Sequence, residues 1–412
     1  MAELAIGPTK CGLRDASSVV REAFAPCMDR KTSHAEPAGL YVHVPVCRSK
    51  CRYCGFYSVP VTRIDAGRLV DGLLRELGRC DGAEFCTAYV GGGSPTALPS
   101  GELLRLVRAV HERCPRAGEF TVECNPGQVE AGVLAELRQA GVNRLSFGAQ
   151  SFLARELELL GRGHSVGQIG AAVTMARQAG FENVGLDLIF AIPGSTFSDW
   201  QMSLEAAIAL EVEHVSAYSL SFEAGTVFEA QRRGGRLAAV EEELDRAMYE
   251  WAVERLERAG LEQYEISNFG RAGRECRHNL GYWANQPYVG IGPAAASYVL
   301  AGDTGRRITN DADVERYLAA VGSGLGAPAE VQEVSEADAV CETAVLNLRR
   351  RSGIDRTEFQ RRSGRDAIRT FAGPIERYCK LGLLEVTDRV VRLTRQALPI
   401  ADTVLCDFAA LD

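Results

Sequence analysis

Cys47, Cys51 and Cys54 lie in the run Val44-Pro45-Val46-Cys47-Arg48-Ser49-Lys50-Cys51-Arg52-Tyr53-Cys54-Gly55-Phe56, a C-x-x-x-C-x-x-C spacing directly after an apolar stretch. A closed [4Fe–4S] centre normally takes four cysteines. Three thiolates on one tight loop suit such a cluster while leaving its fourth iron without a protein ligand, and an iron with an open position can bind and reduce a small molecule. Arg48, Lys50 and Arg52 offset the cluster's negative charge. The alternative is zinc, held by the same three cysteines and a distant fourth ligand such as Cys276 or His278.

A second run, Tyr89-Val90-Gly91-Gly92-Gly93-Ser94-Pro95-Thr96, ends another apolar stretch. Three consecutive glycines let the backbone approach a ligand closely and present amides and carbonyls to it. Alone, such a turn often serves only geometry. Beside the cysteine loop it points to a nucleotide-like ligand.

The elements that must position these turns alternate in kind. Strand-like runs fall at 40–46, 88–91, 120–123, 144–148, 184–192 and 214–221, with helical stretches near 65–79, 101–113, 129–140, 166–179 and 198–210. Repeated strand–helix alternation implies parallel strands joined by right-handed crossovers. Six units fall short of a closed eightfold barrel. The expected fold is therefore α/β, an open partial (βα)6 TIM-like barrel with its site at the strand C-terminal ends. Around it, residues 1–38 read as a flexible leader and 39–302 as the barrel with an extension, including a long helix near 240–259. Residues 303–334 read as a Gly-, Ala- and Asp-rich linker. In 335–412, helices precede a two-strand hairpin, the pattern of a winged-helix-like α+β domain. With no basic stripe there, packing or docking is the expected role rather than DNA binding.

Bulk composition narrows the class. The formal net charge of −8 argues against nonspecific nucleic-acid binding. No apolar stretch approaches the roughly 20 residues needed to span a bilayer, and no secretory signal opens the chain, so a cytoplasmic location is expected. Thirteen cysteines without such a signal imply a reducing compartment, most of them small buried apolar residues.

The cysteine loop and glycine turn together resemble the radical S-adenosylmethionine enzymes. The likeness continues through Phe120-Thr121-Val122-Glu123-Cys124-Asn125-Pro126, Gly141-Val142-Asn143-Arg144-Leu145-Ser146-Phe147-Gly148-Ala149-Gln150-Ser151, Leu160-Gly161-Arg162-Gly163-His164 and Leu186-Asp187-Leu188-Ile189-Phe190-Ala191-Ile192-Pro193-Gly194, which resemble the oxygen-independent coproporphyrinogen III oxidase group. This implies that Cys47, Cys51 and Cys54 hold a [4Fe–4S] cluster. It also implies that S-adenosylmethionine binds at its open iron and is cleaved reductively to a 5′-deoxyadenosyl radical. By the same resemblance the nucleotide contacts are Tyr41, Phe56, Gly91, Gly92, Gly93, Ser94, Glu123, Gln150, Arg162 and Asp187. Glu123 would serve the methionine end, Gln150 and Asp187 the ribose hydroxyls, and Arg162 the methionine carboxylate. Hydrogen-bonding chemistry agrees, since a carboxylate accepts from vicinal hydroxyls and a guanidinium pairs with a carboxylate. Singly, each has a plainer reading as a helix cap or a surface charge.

Within the group, the oxidases resemble C-x-x-x-C-x-x-C-x-C, whereas Phe56 holds the last position here. Tyr264-Glu265-Ile266-Ser267-Asn268-Phe269 and Cys276-Arg277-His278-Asn279-Leu280-Gly281-Tyr282-Trp283 instead resemble the HemW family of heme chaperones. The partners so implied are heme as cargo, heme-acceptor proteins and an electron donor, with a dimer as a compatible assembly. Radical cleavage in such a chaperone is an open question, and coproporphyrinogen oxidase activity is not expected. His278 is the candidate axial ligand, Cys276 a second, and Tyr282 and Trp283 candidate porphyrin-packing rings. A buried histidine among core aromatics is the competing reading. The chain departs from the family pattern at Gly55, Ser94, Ala224 and Ala296, the last replacing a histidine.

Overall fold

In the computed structural model, which describes residues 38–80, 83–301 and 304–411 together with the pair Arg14–Asp15, the six apolar runs form neighbouring parallel strands. These are β1 (Ala38–Val44), β2 (Phe85–Gly92), β3 (Glu119–Cys124), β4 (Arg144–Gln150), β5 (Val184–Phe190) and β6 (His214–Ser219). Helices Ala66–Leu77, Ser100–Arg113, Ala131–Gln139, Val166–Gln178 and Phe197–Ile208 connect them. The barrel is open, as the count of units required. Flanking the six strands are β7 (Asn268–Gly270), antiparallel to β6, and on the other side β8 (Tyr288–Ile291), parallel to β1.

Strand periodicity divides the barrel into two chemistries. Successive side chains point to opposite faces. One set, including Leu40, Val42, Val90, Val122, Leu145, Leu186 and Val215, is fully buried in the main apolar core. Parallel strands covered on both faces ordinarily read as continuous apolar runs. Here the alternate set is polar: Tyr41 and His43, Glu119, Thr121 and Glu123, Arg144 and Ser146, Asp187, His214 and Ser216. That polar set faces the barrel interior.

The segment 303–334 is not a linker. Among the described residues it forms β10 (Thr304–Asn310), helix Val314–Gly322 and β11 (Pro328–Val334), which extend the sheet antiparallel from β9 (Ala296–Ala301). Arg14–Asp15 pairs with β11, and the rest of the expected leader lies outside the described residues, apart from Ala38. A single buried carboxylate secures this extension. Glu76 accepts from Gly292 N at 2.7 Å, Asn310 Nδ2 at 2.8 Å and Tyr317 OH at 2.6 Å. The composition misled because an edge strand needs few apolar residues, and such pinning is invisible to local pattern.

The C-terminal residues form helices Glu336–Leu348, Arg356–Ser363 and Ala372–Lys380 with a three-stranded sheet ordered Ile354–Asp355, Val390–Leu393, Leu384–Val386. This is the expected winged-helix-like arrangement. It docks on the barrel through Arg362, which donates to the carbonyls of Ala284 at 2.6 Å and Asn285 at 2.7 Å. No helix among the described residues is long and apolar enough to cross a membrane.

Candidate functional site

The cysteine loop leaves the C-terminal end of β1 and is tied to the glycine turn by backbone bonds: Gly93 N to Val44 O at 3.0 Å and Ser94 N to Val46 O at 2.7 Å. Arg52 N to Leu160 O, 3.0 Å, anchors its far side. Cys47, Cys51 and Cys54 all line one cavity of about 540 Å³ that opens at the strand C-terminal ends. Arg162 Nη1 lies 3.3 Å from Cys51 Sγ while Nη2 donates to Gly148 O at 2.7 Å. Burial raises the pKa of the Cys47 and Cys54 thiols, and a bound metal centre would favour their ionised form. Three cysteines walling one cavity beside a guanidinium fit a polynuclear cluster. The proposed distant zinc ligands, Cys276 and His278, do not border this cavity.

Tyr41, Phe56, Gly92, Gly93, Ser94, Glu123, Gln150, Arg162 and Asp187 line the same cavity, so the structure gathers the expected nucleotide contacts from five strands and three loops. Gly91 does not border it, but acts through Glu123: a Cβ there would lie 2.6 Å from the Glu123 carboxyl carbon. Glu123 accepts from Tyr89 OH at 2.7 Å and Gly92 N at 3.0 Å, and burial raises its pKa. Gly92 has φ +101°, and a side chain there would drive into the His43 ring, 2.4 Å away. Asp187 accepts from Ser216 Oγ at 2.7 Å and Ser146 Oγ at 3.2 Å, and burial raises its pKa too. Gln150 ends β4 with φ 68°, next to a register shift at Gly148. A non-glycine residue held in that region stores strain of the kind that clusters at ligand sites.

The four candidate heme contacts are placed elsewhere. His278 is 2% exposed, with Nδ1 2.8 Å from Thr87 Oγ1 and Nε2 2.9 Å from Tyr282 OH. Its ring stacks on Tyr89 with centroids 5.1 Å apart, and burial pulls its pKa down to about 3. Neither nitrogen is free for iron. Cys276 is fully buried, its thiol 3.5 Å from Glu119 and pushed up to about 12 by burial. Trp283 packs under the Arg349 guanidinium, 4.7 Å from its ring centroid, at the seam with the C-terminal domain. These residues build the helix Arg277–Trp283 into the barrel floor, where Glu119 caps it by accepting from Arg277 N at 2.9 Å and His278 N at 3.0 Å. The core-histidine reading is the one the geometry follows.

Sequence reasoning missed several lining residues, notably Tyr89, Arg144, Ser146, His214, Ser216 and Tyr218. The signal for them was present. Polar residues at every second position of strands that should be buried on both faces mark a polar barrel interior.

Comparison with known proteins agrees with this geometry. Residues 41–207 match the model of the radical SAM superfamily, and residues 334–400 match the HemN C-terminal domain. Heme chaperone HemW of Bacillus subtilis (strain 168) is 34% identical over 375 residues, covering 89% of this chain and 98% of the relative. Radical S-adenosyl methionine domain-containing protein 1, mitochondrial, of Danio rerio is 31% identical over 393 residues, covering 92% and 88%. The coproporphyrinogen III oxidase HemN of Escherichia coli superposes with a TM-score of 0.80 over 98% of this chain and 96% of that one, at 21% identity. The cluster-and-nucleotide cavity, the open barrel and the near full-length likeness converge, and the chain belongs to the HemW family of the radical S-adenosylmethionine superfamily.

Proposed function

We propose that this chain is a heme chaperone that takes up heme and passes it to heme-requiring proteins, working in the cytoplasm with an external electron donor. The observation that carries the reading is the match along 98% of a Bacillus subtilis relative whose name is heme chaperone HemW. Phe56 supports it, because it borders the cavity where the oxidases carry a further cysteine.

In this reading Cys47, Cys51 and Cys54 hold the [4Fe–4S] cluster, and Glu123, Gln150, Arg162 and Asp187 hold S-adenosylmethionine. When bound, the cluster supplies one-electron reduction of the sulfonium. The chain's own residues bind and orient. The Glu123 carboxyl, already fixed by Tyr89 and Gly92, accepts from the methionine ammonium. Asp187, held by two serines, keeps lone pairs for ribose hydroxyls. Arg162 bridges the cluster loop to the β4 terminus through Cys51 and Gly148, and so couples the two halves of the site.

The test is anaerobic reconstitution followed by heme titration, with coproporphyrinogen III offered in parallel. Stoichiometric growth of a Soret band without decarboxylated product is expected. A protein that binds no heme, or that decarboxylates coproporphyrinogen, is not the chaperone described.

A further inference from the structure

Among the described residues, the barrel floor holds a cation with no ion-pair partner. Arg144 opens β4, is 2% exposed and borders the cavity. Its Nε has no hydrogen-bond partner, and Arg144 enters no ion pair among the described residues. The carboxylates near enough to act on it are committed elsewhere. Glu119 has both oxygens on the helix Arg277–Trp283, and Asp187 accepts from Ser146 and Ser216. A guanidinium left unpaired in a low-dielectric interior is costly. Folds retain such a group where something else completes it.

Its neighbours share the condition. Thr121, beside Arg144 in the register of β3 and β4, has an unpartnered buried hydroxyl. His214, on β6 opposite Gly185, has an unpartnered Nδ1. Its Nε2 lies 2.8 Å from Tyr264 OH, which accepts from Cys276 N at 3.3 Å; in the tautomer where the phenol donates to Nε2, the ring proton sits on Nδ1. Gly185 keeps the space between these groups clear, since a Cβ there would lie 3.3 Å from both Arg144 Nη2 and His214 Nδ1. The unmet groups around Arg144 thus include a guanidinium N–H, an imidazole nitrogen and a hydroxyl, with the side-chain amide of Asn279, its Oδ1 also unpartnered, on the same cavity wall. An acceptor-only anion with two oxygens matches that set, and guanidinium with carboxylate is the strongest such pairing. Arg144 lies four residues below Gly148, the β4 residue level with Asp187, which is about 13 Å down the strand.

We propose that Arg144, Thr121 and His214 form a carboxylate-binding subsite on the barrel floor, and that a ligand entering the cavity places its carboxylate there. Two sources share this chemistry: a propionate of a tetrapyrrole, and the methionine carboxylate of an S-adenosylmethionine molecule. The first rests on the heme reading above, the second does not.

The experiment uses cluster-loaded protein and two matched ligand pairs: heme against its dimethyl ester, and S-adenosylmethionine against its decarboxylated analogue. Dissociation constants are measured for the unsubstituted protein, Arg144→Gln and Gly185→Ala. Expected is a preference of about tenfold or more for the carboxylate member of one pair, collapsing toward unity in Arg144→Gln and narrowing in Gly185→Ala. The pair that collapses identifies the source. Both preferences surviving in Arg144→Gln, with a lowered melting temperature, mark a purely structural arginine and overturn the proposal. Should Arg144→Gln fail to fold, Gly185→Ala decides alone: unchanged preferences in both pairs overturn it. A protein that binds no heme refutes the heme reading, and the nucleotide pair still tests the subsite.

Discussion

The three cysteines and His278 show how differently two residue sets named from one sequence behave once folded. Cys51 shares a cavity wall with Cys47 and Cys54 and touches Arg162. Cys51→Ala should therefore cut iron, after anaerobic reconstitution, from about four per chain to background, because two thiolates do not retain a cubane. Far-ultraviolet circular dichroism should stay unchanged. His278 answers to a different measurement. It is sealed between Thr87 and Tyr282, so His278→Gln should cost about 2 kcal/mol of stability by leaving buried groups imperfectly paired. Heme affinity should be unaffected. A Soret titration that weakens tenfold would reinstate it as an iron ligand. Acid should expose the same burial. The folded pKa of about 3 lies below the ordinary value of 6.5, so between those limits the unfolded chain binds the extra proton. The His278 contribution to stability is complete above pH 6.5 and falls as pH drops toward 3. Denaturation midpoints of His278→Gln should show a shallower slope across that window than those of the unsubstituted protein.

At the scale of elements, the revealing segment is the one from β10 to β11. Nothing in its composition marks a strand, yet both strands join the main sheet and Glu76 binds three groups around them. A linker would be cut by trypsin at Arg306, Arg307 or Arg316 within minutes. The paired strands should leave Arg306 and Arg307 intact for as long as the domain stays folded. Glu76→Ala removes the shared acceptor and should cost about 3 kcal/mol, because Gly292 N and Tyr317 OH then lose their buried acceptor and Asn310 Nδ2 keeps only Gly292 O. In that variant Arg306 and Arg307 should become early cleavage sites. The six barrel strands were legible because their apolar alternation is local. The edge strands were not, since their stability comes from one carboxylate more than two hundred residues away in sequence.

For the whole molecule, the C-terminal domain shares one continuous apolar core with the barrel, and side-chain bonds to backbone carbonyls fix the seam. Arg362 alone satisfies Ala284 O and Asn285 O, and Arg351 N donates to Tyr264 O at 3.0 Å. Arg362→Ala should destabilise docking by about 2 kcal/mol. Calorimetry should then resolve an earlier transition for the C-terminal domain where the unsubstituted protein melts in one. The seam carries Trp283 at the C-terminal end of the helix Arg277–Trp283, so one heme-contact candidate named from the sequence became part of the joint between domains.

Read alone, the chain determined the cysteine loop, the glycine turn and the open six-unit barrel, because each depends on residues close in sequence: a tripled cysteine spacing, a run of glycines, a repeating alternation of periods. Only the tertiary structure decided which polar side chains are consumed by one another and which remain unmet. His278 is spent on a threonine 191 positions away, while Arg144, in a strand that reads as ordinary, has an Nε with no hydrogen-bond partner among the described residues. Hydrogen-bond satisfaction belongs to the assembled interior, and no local pattern reports it.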